Sequence, residues 1–157
     1  MPENRAYPPE GLTPPAPYTL AELRSAMESR AVVEGVAQRC DAALNLSVQL
    51  GRISAIMPRE EATAPWISGA NREIAVLSRV GKPICCTVES IAANAKGAPL
   101  VTVSRRQAQE QAMDAMLESL RPGSVVAGRV VRMESFGAFV DIGRGIVALL
   151  PTEFISA

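Results

Sequence analysis

A pattern of residues in the first third of the chain recurs 93 positions further along. The residues matched at this spacing are Val32, Val33, Gly35, Arg39, Ala55, Pro58 and Glu60, against Val125, Val126, Gly128, Arg132, Ala148, Pro151 and Glu153. After a slip of one residue, the matched residues are Val48, Leu50, Gly51 and Arg52, against Val140, Ile142, Gly143 and Arg144. Agreement of glycine, arginine, proline and glutamate over about 30 residues indicates a tandem module.

The first copy shows the alternation of apolar and polar residues that is typical of short β-strands. Residues 44–50 alternate apolar and polar side chains without exception, which is typical of a half-buried strand. The other segments are predicted as strands over 31–40, 52–57, 83–91 and 99–103, a hairpin turn over 94–97, and a loop with a short helix over 60–79. Five short strands in about 75 residues predict a small barrel over 31–104.

The chain before this barrel reads as an arm followed by a helix. Residues 1–18 contain six prolines and lack periodicity, which predicts a disordered, proline-rich arm. Thr19 and Glu22 have the spacing of a capping box, in which each side chain satisfies a backbone N–H of the other. A short helix is therefore expected over 19–30.

A second helix is predicted between the two copies, over 105–120. Ser104 and Gln107 repeat the capping spacing, and the apolar stripe that follows is expected to pack on the barrel or, alternatively, to bind a partner. The second copy occupies 121–157, where three of five strands fit. The overall prediction is a mainly β protein with tandem five-stranded barrels joined by a helical linker, the second barrel being truncated. The simplest explanation is a fragment of a longer chain.

Composition excludes several classes of function. The chain has 16 basic and 16 acidic residues, which argues against a strongly basic nucleic-acid binder but allows a local cationic face. It has no histidine and three cysteines without metal-ligand spacing, so no catalytic residue, metal site or cofactor is expected. No stretch approaches the roughly 18 apolar residues of a membrane span. The sequence predicts a cytoplasmic protein that is not an enzyme and has no membrane partner.

Three stretches carry a resemblance to a known family: RPGSVVAGRVVRMESFGAFVDIG in the second copy, VVEGVAQRCDAALNLSVQLGRISAIMPREEA in the first, and VSRRQAQEQA between them. They resemble the RNA-binding repeat of the small-subunit ribosomal protein S1 family, a five-stranded barrel of the OB type. The layout is most similar to short, few-repeat S1-like proteins of Gram-positive anaerobes. The resemblance implies an OB fold for both copies.

The resemblance also implies a role for two aromatic residues. The stacking aromatics of the family's second strand match Phe136 and Phe139 in the second copy, whereas the same positions of the first copy hold Leu44 and Ser47. A histidine that the family often places after the third strand falls on Pro151. The second copy is therefore expected to bind RNA, and the first to keep the fold without the stacking platform.

Binding of single-stranded nucleic acid requires aromatic faces for the bases and cations for the phosphates. Arg129, Arg132 and Arg144 lie on strands or turns near the two phenylalanines and are candidate phosphate contacts. Residues three apart on a regular strand face opposite sides, so the two rings share a surface only if the strand bends, for example at Gly137. The alternative is that one phenylalanine fills the core and the other is merely exposed.

Weaker candidates lie in the first copy and the linker. Arg52, Arg59, Arg79 and Lys82 are possible phosphate contacts, but a solvated surface is the favoured interpretation because no aromatic residue accompanies them. Trp66 could stack on a base or anchor its loop. Arg105 and Arg106 could contact RNA or simply begin the linker helix.

Three functions are compatible with these features. The first is binding of single-stranded RNA, in particular mRNA, during translation, with proteins of the small ribosomal subunit as further partners. The second is an adaptor that docks onto another protein through the first copy. The third is the accessory RNA-binding part of a ribonuclease or polynucleotide phosphorylase.

Overall fold

The computed structural model describes residues 7–13 and 16–155, and its regular structure begins with helix α1 (Leu20–Ser29). The predicted capping box is confirmed. The Thr19 hydroxyl accepts a hydrogen bond from the Glu22 backbone N–H at 3.2 Å, and the Glu22 carboxylate accepts one from the Thr19 N–H at 2.7 Å. The fully buried Leu23 packs the helix against the hydrophobic core of the barrel that follows.

Five strands form a closed barrel after α1. They are β1 (Val32–Cys40), β2 (Leu46–Leu50), β3 (Ile53–Met57), β4 (Pro83–Ala93) and β5 (Pro99–Ser104). The order around the barrel is β1-β2-β3-β5-β4, with β4 paired back to β1; β3 and β5 run parallel, and the other four pairs are antiparallel. This arrangement confirms the predicted mainly β fold and is consistent with an OB-type barrel.

The alternation in β2 explains why this segment lines the barrel core. Its apolar residues are at most 1% exposed: Leu46, Val48 and Leu50. The strand begins two residues later than the alternation predicts, because Leu44 has a left-handed backbone with φ 66°. The Asp41 carboxylate fixes the preceding turn by accepting hydrogen bonds from the backbone N–H groups of Ala43 and Asn45, both at 2.9 Å.

The segment between β3 and β4 contains a 3-10 turn (Arg59–Glu61) and helix α2 (Gly69–Leu77). This agrees with the predicted loop and short helix. Val76 of α2 is fully buried and belongs to the same hydrophobic core as the barrel strands. The insertion is therefore packed onto the barrel, and the turn that follows α2 leads directly into β4.

Helix α3 (Arg105–Ser119) starts immediately after β5, where the Ser104 hydroxyl accepts a hydrogen bond from the Gln107 N–H at 3.0 Å. Its buried stripe is narrower than the sequence suggests: Leu117 is 71% exposed. Ala112 and Met116 pack against Ile146, which lies beyond the barrel. The helix thus joins the barrel to the second part of the chain.

The second copy forms a sheet of three antiparallel strands, β6 (Arg129–Glu134), β7 (Gly137–Asp141) and β8 (Val147–Pro151), followed by a 3-10 turn (Thr152–Phe154). Its register repeats that of β1–β3. The irregularity between Ala37 and Arg39 of β1 recurs between Val130 and Arg132 of β6, 93 residues later. Pro58 and Pro151 each precede the 3-10 turn with nearly the same backbone angles. The repeat found in the sequence is therefore also a repeat of structure.

The two copies differ where β4 and β5 contribute to the first. The first half of β1, from Val32 to Val36, pairs with β4, whereas the second sheet has three strands and its first strand begins only at Arg129. Residues of the second sheet that correspond to core residues of the barrel are therefore exposed. Val130 is 55% exposed where its counterpart Ala37 is fully buried, and Leu150 is 39% exposed where Met57 is fully buried.

The N-terminal residues differ from the predicted disordered arm. Residues 7–13, here called the N-terminal strap, pack where the barrel, α3 and the second sheet meet. Arg144 donates its backbone N–H to the Pro8 carbonyl at 2.9 Å, and Glu10 is 6% exposed. The prolines and the missing periodicity predicted disorder, but one carboxylate bound by distant arginines fixes this segment without any apolar periodicity. Residues 1–6 and 14–15 of the predicted arm lie outside the described residues.

Candidate nucleic-acid interface

Phe136 and Phe139 lie on the same surface of the second sheet. Their ring centroids are 6.0 Å apart and the ring planes are at 88°, an edge-to-face arrangement. Residues three apart on one strand would face opposite sides of the sheet. Phe136 and Phe139 do not, because Phe136 belongs to the two-residue turn before β7 and only Phe139 lies in the strand. Phe136 is 55% exposed and Phe139 is half-buried, so the pair is neither a buried core nor a single exposed ring.

The turn that presents Phe136 is held by the 3-10 turn after β8. Thr152 donates its backbone N–H to the Phe136 carbonyl and its hydroxyl to the Ser135 carbonyl, both at 3.0 Å. Glycine at position 137 lets β7 approach β8 closely, since a Cβ at this position would clash with the Leu150 carbonyl oxygen. The aromatic pair is therefore presented on a fixed backbone rather than on a mobile loop.

Arg132 completes this surface. It pairs with Phe139 across β6 and β7, and its guanidinium carbon lies 4.5 Å from the centre of the Phe139 ring. The guanidinium also forms an exposed ion pair with Glu134 at 3.2 Å. The structure thus brings together three of the predicted contacts, which we call the aromatic platform: Arg132, Phe136 and Phe139. Aromatic faces beside a guanidinium can stack on bases and contact phosphate.

Two other predicted contacts are engaged elsewhere. Arg129 donates from Nη1 to the Glu10 carbonyl at 2.9 Å. Arg144 donates from Nη1 to the Ala108 carbonyl at 3.1 Å and to Gln111 Oε1 at 3.0 Å, and its guanidinium lies 4.2 Å from the centre of the Tyr7 ring. These arginines hold the strap and α3 to the second sheet, and they lie outside the aromatic platform.

The first barrel repeats the register of the platform without its aromatic groups. Ser47 pairs with Arg39 across β1 and β2, as Phe139 pairs with Arg132 in the second sheet. Leu44, at the position matching Phe136, is partly buried and packs against the barrel core. A base has no aromatic face to stack on at this site.

The weaker candidates for RNA contacts, in the first copy and the linker, differ in exposure and in ion pairing. Arg52 is exposed, Arg59 is exposed and paired with Glu60 at 3.2 Å, and Trp66 is 50% exposed. Arg106 forms ion pairs with Glu61 at 2.9 Å and Glu110 at 3.0 Å. Lys82 is exposed in the turn before β4.

Arg105 has a structural environment that the sequence did not predict. Its side chain is 6% exposed and holds the Glu10 carboxylate at 2.5 Å and 3.0 Å. The same carboxylate accepts the Cys85 backbone N–H at 2.8 Å and lies 3.3 Å from Arg79. Glu10 and Arg105 are 95 residues apart, so no local pattern could have paired them. This buried ion pair leaves Arg105 unavailable to a polynucleotide in this structure.

The charge state of Glu10 follows from these contacts. Burial by itself raises the pKa of the carboxyl, but the Arg105 charge and hydrogen bonds lower it by more, and the net pKa lies below the ordinary 4.5. The nearby Asp141 has its pKa raised by burial, although the backbone N–H groups of Gly143, Glu10 and Gly145 favour its charged form. Glu10 is thus ionised at neutral pH.

We expect the stabilising contribution of Glu10 to disappear as the pH falls below about 4.5. Its folded-state pKa is below the unfolded value, so the carboxylate stabilises the fold above the unfolded pKa and loses this effect as the pH falls through the folded pKa. The measurement is urea unfolding of the protein and of Glu10→Gln from about pH 7 to about pH 3. The difference between their free energies of unfolding should shrink towards low pH, and a constant difference would contradict the assignment.

Two further features bear on the class of protein. No cluster of three or more histidine, cysteine, aspartate or glutamate side chains suited to a metal ion lies within residues 7–13 and 16–155. Across those same residues, the helices are all too short or too polar to cross a membrane.

Comparison with known proteins agrees with this geometry. Residues 119–157, which contain the second sheet and the aromatic platform, match the family model of the S1 RNA binding domain. The small ribosomal subunit protein bS1 of Staphylococcus saprophyticus is 51% identical over 43 residues, which are 27% of this chain and 11% of that protein. The matched segment spans about a tenth of the relative's length. The match to the family model supports RNA binding.

Proposed function

We propose that this S1-type protein binds single-stranded RNA through the aromatic platform of its second sheet. The observation that carries the proposal is the edge-to-face pair of the exposed Phe136 and the half-buried Phe139 beside the Arg132 guanidinium. It lies within the segment that matches the S1 RNA binding domain. Stacking on such rings contributes about 1–3 kcal/mol per base and tolerates any base.

The geometry favours a single strand over a duplex as the ligand. Bases in an RNA duplex are stacked on one another, so their faces are closed to protein side chains. An exposed ring gains stacking energy only from an unpaired base. The chain carries no net charge, so electrostatic attraction adds a modest, salt-sensitive part of the affinity. Weak binding by one platform gains strength when several modules act on one strand.

The biological setting belongs to the same proposal. The 43 residues shared with a small ribosomal subunit protein support a role in translation, with mRNA as the RNA and ribosomal proteins as further partners in the cytoplasm. In this proposal, the second sheet supplies the stacking surface. The first barrel, with Leu44 and Ser47 at the matching positions, gives the sheet a folded support.

The test is a fluorescence-anisotropy titration of the full chain against a labelled single-stranded RNA of about 12 nucleotides, within the range of OB-fold site sizes. A duplex of the same sequence is the comparison. We expect at least about tenfold tighter binding of the single strand, with an affinity that falls as salt rises. Equal or tighter binding of the duplex would overturn the proposal.

A further inference from the structure

A cleft of about 350 Å³ separates the first barrel from the second sheet. One wall comes from the end of α2 and the turn that follows it, including Arg79 and Lys82. The other wall comes from β6, β7 and β8 and includes two members of the aromatic platform, Arg132 and Phe139. The cleft is therefore continuous with the proposed stacking surface, and its size lies in the usual range of small-ligand sites, about 300–1,000 Å³.

The charge lining this cleft is positive although the chain as a whole is neutral. Among the described residues that line it, the basic ones are Arg79, Lys82, Arg105 and Arg132. Arg105 is buried and its charge is balanced by Glu10, so the positive charge open to a ligand comes from Lys82, Arg132 and Arg79. The acidic one is Asp141, which is 3% exposed and accepts hydrogen bonds from the backbone N–H groups of Glu10, Gly143 and Gly145. The Asp141 carboxylate is therefore a buried acceptor that is occupied by backbone N–H groups. A groove with basic walls concentrates a polyanion.

Lys82 is a lining cation that is open to a ligand. Its side chain is exposed and has no ion-pair partner among residues 7–13 and 16–155. Its backbone is fixed on both sides, because its N–H donates to the Arg79 carbonyl at 3.0 Å and its carbonyl accepts from the Ala37 N–H at 3.1 Å. The Arg79 side chain is 22% exposed and pairs with Glu10 at 3.3 Å, so part of this side chain remains accessible.

The relative position of the two walls is set by the buried ion pair. Glu10 lies under the cleft and connects Arg105 at the start of α3, the Cys85 N–H in β4 and, through its own N–H, Asp141 in β7. The barrel wall and the sheet wall are therefore bound to one carboxylate-bearing residue. A cleft held in this way needs little reorganisation when a ligand enters.

We propose that the cleft is a composite RNA site, in which Lys82 and Arg79 of the first copy contact the phosphates of the strand whose bases stack on the platform of the second copy. This inference rests on the proposed function and extends it, because the first copy then contributes to binding as well as to support. The ligand is a single-stranded polynucleotide that runs from the platform into the cleft.

The chain contains two lysines, which provide a matched pair of variants. Lys82 immediately precedes β4, and Lys96 follows it in the exposed β4–β5 turn. The 11 residues of β4 lie between them, so the two lysines stand beyond opposite ends of a strand that spans at most roughly 36 Å at about 3.3 Å per residue. Lys82→Ala and Lys96→Ala remove the same charge from the chain, but only Lys82 lines the cleft.

We expect Lys82→Ala to weaken binding of the single-stranded RNA about fivefold and to flatten the slope of log affinity against log salt by about 0.7, as for the loss of one phosphate contact. Lys82→Arg should retain most of the affinity, and Lys96→Ala should leave both quantities unchanged. Thermal unfolding of all three variants should match the parent protein, which separates binding from folding.

Two outcomes distinguish the composite site from the proposed function. If substitutions in the platform abolish binding while Lys82→Ala behaves like Lys96→Ala, the composite site is wrong and the platform stands. If the platform substitutions have no effect, the proposed function is wrong and the composite site falls with it.

Discussion

Replacing Arg105 with leucine is expected to lower the free energy of unfolding by about 3–5 kcal/mol. Arg105 holds the Glu10 carboxylate at 2.5 Å and 3.0 Å, and the side chains are 6% and 5% exposed respectively. Without the guanidinium, Glu10 keeps the Cys85 N–H and Arg79 at 3.3 Å but remains a largely buried, under-compensated charge. Chemical unfolding at neutral pH measures the loss.

The neighbouring arginine is the matched control for this prediction. Arg106 pairs with Glu61 and Glu110, but its side chain is 30% exposed, so Arg106→Leu should cost only about 0–1 kcal/mol. Glu10→Leu combined with Arg105→Leu should be less damaging than Arg105→Leu alone, because no buried charge is then left unpaired. Equal losses for Arg105→Leu and Arg106→Leu would show that the buried pair has no special role.

Replacing Phe136 and Phe139 with alanine should each weaken binding of single-stranded RNA by about 1–3 kcal/mol, roughly 5- to 150-fold. Each substitution removes one of the two rings that meet edge-to-face at 6.0 Å, and Phe139→Ala also removes the ring beneath Arg132. Titration of the variants with the labelled single strand measures the change.

Phe154 gives the control for the aromatic prediction. It is the third phenylalanine of the chain, it is 70% exposed, and within the described part of the chain it makes no ring contact with the other two. Phe154→Ala should leave the affinity unchanged, and Phe139→Tyr should retain most of it because a stacking face remains. Because Phe139 is half-buried, melting curves must show that the variants stay folded. Unchanged affinity in the folded double alanine variant would remove the platform from the mechanism.

The strands of the first barrel could be predicted because each carries its own signal. Val48 and its alternating neighbours specify which face of β2 is buried, and this information lies within seven consecutive residues. The repeat of Gly35 and Arg39 at Gly128 and Arg132 extended the same prediction to the second sheet. Local period and internal repetition were sufficient for the fold.

The contacts of the strap could not be predicted, because they depend on residues far apart in the chain. Glu10 binds Arg105 and Asp141, which are 95 and 131 residues away. In the sequence, Glu10 stands in a proline-rich stretch with no apolar period, and Arg105 looks like an ordinary charged residue at the start of a helix. Burial gives both residues their role, and burial at this distance has no local signature.

The candidate site could be predicted in part, unlike the barrel strands, which could be predicted, and the strap contacts, which could not. The identity of Phe136 and Phe139 was visible in the sequence, but their arrangement was not, because it depends on Phe136 lying in the turn rather than in β7. The sequence suggested Arg129 and Arg144 as phosphate contacts near the phenylalanines, but in the structure their guanidinium groups donate to the Glu10 and Ala108 carbonyls. The pairing of strands shows which residues lie near one another, whereas the direction of each side chain is visible only in the packed structure.

The long-range contact of the strap also has a consequence for biosynthesis. Glu10 is synthesised 131 residues before its partner Asp141, an interval on the order of 10 s at about 5–20 residues per second. The last strand of the barrel is complete only when Ser104 has been made, and Arg105 and Asp141 follow it, so for most of this interval the strap lacks the partners that bind it. Pro8 and Pro9 lack the N–H that a β-ladder needs, so the waiting segment is poorly suited to pair with a neighbouring nascent strand. The same prolines that make the strap look disordered in the sequence therefore protect the chain while it is being made.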